Sequence, residues 1–328
     1  MKIAIAGLAH FHVQYALDEA DARGGELELV GLADPDPANR ATWGSGREEL
    51  LFEDHRAMLD ATRPDIVAVF AVYARRAEIV VDALRAGATV LVDKPLCISL
   101  DELAAIEAAV AETGGTVSTI FEKRWYPATL AAQAAIAAGA IGELRQAAFT
   151  APHKLKRPTR PDWFFDERYG SIVSDLLSHD IDLFLHFSGE TSGSLASWDN
   201  RGVDASAPAW ADSCALLFTG SRVGATMEAN WTWPDASEFH GQYRMRLAGD
   251  QGVLEVDWAR NEVVLLTRTE GPRVLELPAG RRPAEQAVDA ALSGGDFEVP
   301  TAQSLAVARI GLVASQAARE GRALDWSL

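Results

Sequence analysis

The sequence predicts a two-domain α/β protein: a doubly wound parallel sheet, then an α+β domain with a large, mostly antiparallel open sheet. Three observations carry this. Short apolar runs alternate with amphipathic stretches through the first third of the chain, the pattern of repeated strand–helix units with right-handed crossovers. From Ala211 to about Leu277 strand-like runs follow one another without helices, which indicates antiparallel pairing. The 328 residues exceed one typical domain and suit two, at a prior of ~150 residues each. The expected division is 1–121 and 122–328.

Ile3–Ala6 is the first strand; it stops at Gly7 and a helix follows to about Asp21. Leu27–Ala33 is the second, ended by Asp34-Pro35-Asp36-Pro37, because a proline cannot donate to a ladder. Short helices are expected at Glu48–Leu51 and His55–Ala61, then the strand Ile66–Val72. Ala74–Ala86 is helical by period with Gly87 as its stop. Ala88–Val92 is an unbroken run of small or branched residues, as in a strand buried on both faces. Leu100–Glu112 is a helix closed by Gly114-Gly115, and Val117–Phe121 is a further strand.

In the second domain Ala128–Ala138 is a helix, Gln146–Thr150 a strand and Ile172–Phe187 a helix. Strands are then expected at Ser213–Thr219, Val223–Trp233, Tyr243–Ala248, Gly252–Asp257, Glu262–Thr267 and Val274–Leu277, with a closing helix at Ala302–Arg319.

A net charge of −17 argues against nucleic acid as a partner, because phosphate binding needs concentrated positive charge. The two cysteines, Cys97 and Cys214, lie far apart, which fits a reducing compartment better than a disulfide framework. The N-terminus reads as a strand and not a leader, and no apolar run approaches ~20 residues. A cytoplasmic protein without a membrane partner is expected.

Gly7-Leu8-Ala9-His10-Phe11-His12 stands where a nucleotide fold places its G-x-G-x-x-G turn. Only the first glycine is present; Ala9 and His12 occupy the other two positions. Asp34, at the end of the second strand, is placed to accept hydrogen bonds from ribose hydroxyls. Its charge would repel a 2′-phosphate, which favours NAD over NADP. A turn-forming Asp before Pro is the plainer reading; loop and carboxylate together point to dinucleotide binding.

Asp93-Lys94-Pro95 ends the buried strand, at the sheet edge where open α/β sheets bind ligands. Proline biases the preceding residue toward extended geometry, so Lys94 is either pinned into a crevice or an ordinary turn lysine. Asp175, His179 and Asp182 are spaced i, i+4, i+7 and share one face of a regular helix. A histidine near a carboxylate suits acid–base work at neutral pH. The alternatives are a hydrogen-bonded core histidine or a metal pair, for which no third ligand is evident.

Asp93-Lys94-Pro95 resembles the Glu-Lys-Pro element of the glucose–fructose oxidoreductase / inositol dehydrogenase (Gfo/Idh/MocA) family, and Asp175-x-x-x-His179-x-x-Asp182 resembles that family's G-G-x-x-x-D-x-G-x-H-x-x-D helix. Gly142-Glu143, Trp163 ahead of Gly170, and Gly249-Asp250-Gln251-Gly252 extend the likeness along the chain. The resemblance implies a Rossmann domain, an open sheet used for homodimer or homotetramer contacts, and an NAD(P)-dependent oxidoreductase of a sugar, polyol or similar hydroxy compound. It implies that Lys94, Asp175 and His179 line the reaction site. Gly7 to His12, Asp34, Ala71, Tyr73 and Asp93 to Pro95 would contact the cofactor. Asp93 stands in place of Glu and should reach less far toward the nicotinamide ribose. Ala71-Val72-Tyr73 replaces Thr-Pro-Asn, and Ser171 and Leu177 replace glycines.

In the implied reaction His179 exchanges the hydroxyl proton. Asp175 orients the imidazole or bonds a neighbouring hydroxyl, and Lys94 polarises the developing carbonyl. Arg124, Tyr126 and Trp163 are placed for a substrate pocket, with the core as the other reading for Trp163. His153-Lys154-Leu155-Lys156-Arg157-Pro158-Thr159-Arg160 is the basic cluster of an acidic chain, either a solvated loop or a contact for an anionic substrate. A nucleotide-binding regulator, or an enzyme recycling NAD in a net elimination or epimerisation, would share these features.

Overall fold

The computed structural model describes residues 1–328 as two compact units. Unit 1 comprises Met1–Phe121, Glu167–Gly170 and Arg282–Ala308. The last two segments fall outside the expected 1–121 boundary. Unit 2 comprises Glu122–Asp166, Ser171–Arg281 and Arg309–Leu328.

Unit 1 alternates β1 (Lys2–Ala6), α1 (Val13–Arg23), β2 (Glu28–Ala33), α2 (Pro37–Trp43), β3 (Leu51–Phe52), α3 (His55–Thr62), β4 (Ile66–Val69), α4 (Tyr73–Arg85), β5 (Thr89–Asp93), α5 (Leu100–Thr113) and β6 (Val117–Ile120). The strands form one parallel sheet in the order β3-β2-β1-β4-β5-β6. This is the doubly wound order, with its switch point between β1 and β4. Every residue of β4 and the last four of β1 are fully buried, so both faces are covered, as an all-parallel sheet requires.

The second strand ends at Ala33 as expected, and Pro37 is also a helix start signal. Asp36 caps α2 by accepting from the Ala38 N–H, and Pro37 takes a first-turn position, where a missing N–H costs nothing. The expected helix at 48–51 is a single 3₁₀ turn, Glu48–Leu50, followed by the short edge strand β3. Ser99 caps α5, and the Glu102 carboxylate reaches back to the Ile98 N–H, close to a capping box.

The return of residues 282–308 to unit 1 has a physical cause. β6 is an edge strand, and its open donors are met by side chains: Val117 N–H by Thr301 Oγ1 at 3.0 Å, Thr119 N–H by Ser304 Oγ at 2.9 Å. Ala284, Ala287 and Val288 join Ile3, Ile5 and Leu17 in one core. The last three belong to β1 and α1; the first three belong to or precede α8 (Glu285–Ser293), which the sequence reading did not anticipate.

Unit 2 holds α6 (Pro127–Ala137), β7 (Leu144–Pro152), a π-helical turn (Val173–Leu177), α7 (Ser178–Ser188), β8 (Ser192–Asn200), β9 (Ser213–Gly220), β10 (Gly224–Asn230), β11 (Arg244–Gly249), β12 (Gly252–Asp257), β13 (Glu262–Thr267) and β14 (Arg273–Val274). After α8 come α9 (Thr301–Glu320), whose second half belongs to unit 2, and β15 (Leu324–Ser327). The sheet has nine strands in the order β14-β13-β12-β11-β7-β10-β9-β8-β15. It is antiparallel except for β7 and β10, so the consecutive-strand pattern missed one parallel pair. One face is apolar by strict alternation, as at Cys214, Leu216 and Phe218 in β9, and packs on α7 through Phe184 and Phe218, 5.3 Å apart. The other face carries Trp198 and Leu217, 55% and 52% exposed.

Candidate functional site

The first group of predicted residues gathers at the carboxyl ends of β1, β4 and β5. Gly7 has φ +79°, and a Cβ there would stand 2.3 Å from Ala71 Cα, so no other residue fits this turn. Its N–H donates to Ala33 O, and the next, Leu8 N–H, donates to Asp34 Oδ2 at 2.6 Å. Asp34 Oδ1 accepts from Asp36 N–H and Asn39 Nδ2. An ionised carboxylate has about four acceptor sites, so one remains for a ribose hydroxyl. His10 N–H is taken by Phe70 O, whereas Ala9 and Phe11 N–H have no protein acceptor. Two open donors ahead of α1, a glycine turn and a carboxylate ending β2 form a donor set suited to a dinucleotide.

His10 and His12 do not point at a ligand. Both fold onto Asp93: His12 Nδ1 lies 2.9 Å from Oδ1, and His10 Nδ1 lies 3.3 Å from Oδ2. Asp93 is fully buried, and its Oδ2 also accepts from Arg76 Nη2 at 2.9 Å. The expected reach of Asp93 toward a nicotinamide ribose is therefore corrected. Its carboxylate is turned inward and serves as an anchor for the glycine loop. His10, His12 and Asp93 have the spacing of a metal triad, but the Arg76 guanidinium would oppose a cation there.

Arg76 is the residue sequence reasoning missed. It has no exposed surface. Its Nε donates to Ala71 O, and its Nη1 donates to both Asp93 O and Pro95 O, at 2.6 and 2.9 Å. These two carbonyls flank Lys94, so one guanidinium clamps the backbone on either side of the lysine. The Tyr73 ring lies 4.4 Å beneath it; Tyr73 is buried and serves this stack rather than a cofactor surface. The signal was available: Arg76 sits on the apolar stripe of α4 with Tyr73, Ala77 and Val80. Lys94 itself is 7% exposed, and the Lys94–Pro95 peptide is cis.

Burial holds His10 well below the usual imidazole range despite the opposing pull of Asp93. Burial would raise Asp93, but the neighbouring His12, Arg76 and His10 hold it well below the carboxylate range. The folded state thus takes up fewer protons than the unfolded chain at both sites. The His10 contribution is complete above the unfolded imidazole value, about 6.5, and is lost as pH falls below it, whereas that of Asp93 is lost only below the unfolded carboxylate value, about 3.9. A plot of Tm against pH should fall on the acid side from about pH 6.5. His10→Gln should flatten the first part of the fall; an unchanged slope would remove His10 from the account.

The second group lies in unit 2. Asp175 and His179 are 2% and 5% exposed. Asp175 falls within the π-helical turn, so the spacing that aligned it with His179 does not apply across Val173–Leu177. The carboxylate beside His179 Nε2 is Glu122, with Oε1 at 3.3 Å, a partner the sequence reading did not name. Ser171, where a glycine was expected, has its hydroxyl accept from Ser174 N–H and from Ser315 Oγ, tying the start of the helix to α9.

Arg124 is corrected from pocket to core. It is 2% exposed and makes a bidentate pair with Asp182, at 2.6 and 2.8 Å. Lys123 similarly donates to Asp180 at 2.8 Å. Tyr126 precedes α6 and is 37% exposed, whereas Trp163 is 9% exposed and packs on Phe164. His153 lies against Tyr243, Trp231 and His240, with ring centroids at 4.5, 5.3 and 5.6 Å.

Comparison with known proteins finds relatives of both halves of the chain. Residues 1–121 match the model of the oxidoreductase family with an NAD-binding Rossmann fold, and residues 129–255 match that of the GFO/IDH/MocA C-terminal domain. D-apiose dehydrogenase of Paraburkholderia graminis is 28% identical over 258 residues, 75% of this chain and 64% of that protein's length. The scyllo-inositol 2-dehydrogenase (NAD(+)) of Bacillus subtilis is 25% identical over 83% of this chain and 78% of its own. A solved levoglucosan dehydrogenase in complex with NADH shares the fold, with a TM-score of 0.87 at 18% identity over 99% of both chains. With both halves matched, the chain belongs to the Gfo/Idh/MocA family.

Proposed function

We propose that the protein is an NAD-dependent oxidoreductase that acts on a hydroxyl-bearing carbon of a sugar, polyol or sugar acid. The observation that carries this is Lys94, held by Arg76 at the end of β5 on the same sheet edge as Gly7 and Asp34. The named dehydrogenase relatives support it. Gly7, Leu8 and Asp34, with the open N–H groups of Ala9 and Phe11, would hold the dinucleotide. When bound, its nicotinamide supplies a hydride acceptor or donor. Lys94 Nζ donates a hydrogen bond to the substrate oxygen and offsets the negative charge that grows there. His179 takes the hydroxyl proton on its imidazole or returns it, and Glu122 beside Nε2 balances the charge gained. Asp175 orders the substrate hydroxyls next to that proton transfer.

The test is absorbance of reduced nicotinamide during a screen of sugars, polyols and sugar acids with NAD+ and NADP+. Net reduction with NAD+ above NADP+ is expected, and Asp34→Ala should narrow the preference. Tightly retained cofactor without net reduction would favour the recycling reaction instead. Failure to bind either dinucleotide rejects the proposal.

The same reading places a homodimer or homotetramer contact on the outer sheet face. Ala196 pairs with Leu217 and Trp198 with Ala215 across β8 and β9, so the two exposed side chains are diagonal neighbours, an apolar patch of the kind interfaces cover. Sedimentation should show an oligomer that Leu217→Glu dissociates; a monomeric wild type would end this part of the proposal. A cytoplasmic site suits Cys97 and Cys214, both buried free thiols. No helix is long and apolar enough to cross a membrane.

A further inference from the structure

The basic cluster is no loose, solvated loop. Lys154 is buried, and its Nζ donates to the carbonyls of Asp235 and Ser237. Arg157 pairs with Asp204 at 2.5 Å and lies over the Phe165 ring. Arg160 differs from both. Its guanidinium lies 4.7 Å from the Phe164 ring and 4.9 Å from the Trp231 ring, and its Nε donates to Leu155 O. It has no carboxylate partner, so both Nη groups remain for an acceptor. Stacking and the Nε bond fix the planar fork in advance, which lowers the entropy lost on binding.

The surroundings reinforce this. β7 and β10 run parallel, and His153 and Trp231 follow their last residues, bridged by the His153 N–H to Asn230 O bond. Lys156 joins Arg160 without an acid of its own. Burial and then Lys156, Arg160 and Lys154 hold the His240 imidazole below its ordinary range, and no carboxylate opposes them. On a chain of net charge −17, such a positive locus is where an anion would be drawn. His153, which touches both Trp231 and His240, also touches Tyr243. Lys123 lies over the Tyr243 ring and bonds Asp180, the residue after His179.

We propose that Arg160, stacked on Phe164 and Trp231 where β7 and β10 end, anchors an anion subsite that takes the carboxylate of a sugar acid or the phosphate of a sugar phosphate. The two planar Nη donors suit either oxyanion, bidentately. The proposal rests on the oxidoreductase reading for what becomes of the ligand, but not for its binding.

The experiment titrates inorganic phosphate and D-gluconate separately into the purified protein without nucleotide, following the His240 imidazole resonances by NMR. A saturable shift is expected, with neutral sorbitol producing none. Arg160→Gln should weaken it ~10–100-fold, the loss of a charged hydrogen bond, and Arg160→Lys should fall between. Saturation by phosphate alone assigns a phosphate ester, and by gluconate alone a sugar acid. Absence of a saturable shift with both anions, or equal affinity in folded Arg160→Gln, overturns the subsite. Should Arg160→Gln not fold, Lys156→Gln is the second variant, and unchanged anion affinity there overturns it equally. Anion binding without nicotinamide reduction on any substrate would defeat the oxidoreductase reading and leave the subsite standing. Reduction by neutral polyols alone, with KM indifferent to Arg160→Gln, would do the reverse.

Discussion

Lys94→Ala and His179→Gln are each expected to lower kcat by ~10²–10⁴-fold, the usual contribution of a positioned acid–base group, with little change in far-UV circular dichroism. Lys94 owes its rigidity to backbone bonds made by Arg76 to Asp93 O and Pro95 O, so removing its side chain leaves those bonds in place. His179→Gln places an amide nitrogen near the Nε2 position that faces Glu122, 3.3 Å from the imidazole, and so avoids an orphaned buried carboxylate. The effect should fall on kcat more than on KM, because both groups act on charge that develops during the reaction. Turnover within a factor of a few of wild type in either variant would sink the assignment.

The second large effect is on stability. Arg76→Met removes a cation from fully buried Asp93. Breaking a buried pair from one side costs roughly 3–5 kcal/mol. The midpoint of urea unfolding should drop accordingly. Asp93→Asn added to Arg76→Met should recover part of the loss, since a neutral amide is easier to bury than an unpaired charge. Below the transition kcat should also fall, and the double variant should not restore it, because the clamp on the Lys94 backbone remains absent. A loss under ~1 kcal/mol in Arg76→Met would show that His10 and His12 suffice to hold Asp93, against the barriers to burying lone charge.

Much of unit 1 was legible because its signals are local. Unbroken apolar runs end at Gly7, Asp34 and Lys94, and each stop is a turn residue at the sheet's carboxyl edge. Asp34 and Lys94 could be picked from the sequence for that reason. Asp93 could not be read correctly, because His10 and His12 lie some eighty residues before it and Arg76 sits on the preceding helix, contacts that no local pattern reports. Arg124 misled for the same reason. Its bidentate partner Asp182 sits on a helix 58 residues away, where periodicity reported only a charged stripe. The π-helical turn at Val173–Leu177 has no simple sequence signature, so it shifted the Asp175 face unannounced. The parallel pairing of β7 with β10 skips two intervening strands, which a consecutive-strand rule does not capture.

The capping of β6 by Thr301 and Ser304 has a consequence for the order of biosynthesis. When the ribosome has released residues 1–121, six strands can pair, yet one margin of the sheet still presents bare main-chain donors to any passing strand. The residues that close it emerge nearly two hundred positions later. Until then the nascent nucleotide-binding half carries an open edge available for edge-to-edge association, and contacts of such long range slow completion of the fold. A gene truncated before Arg282 would make this exposure permanent.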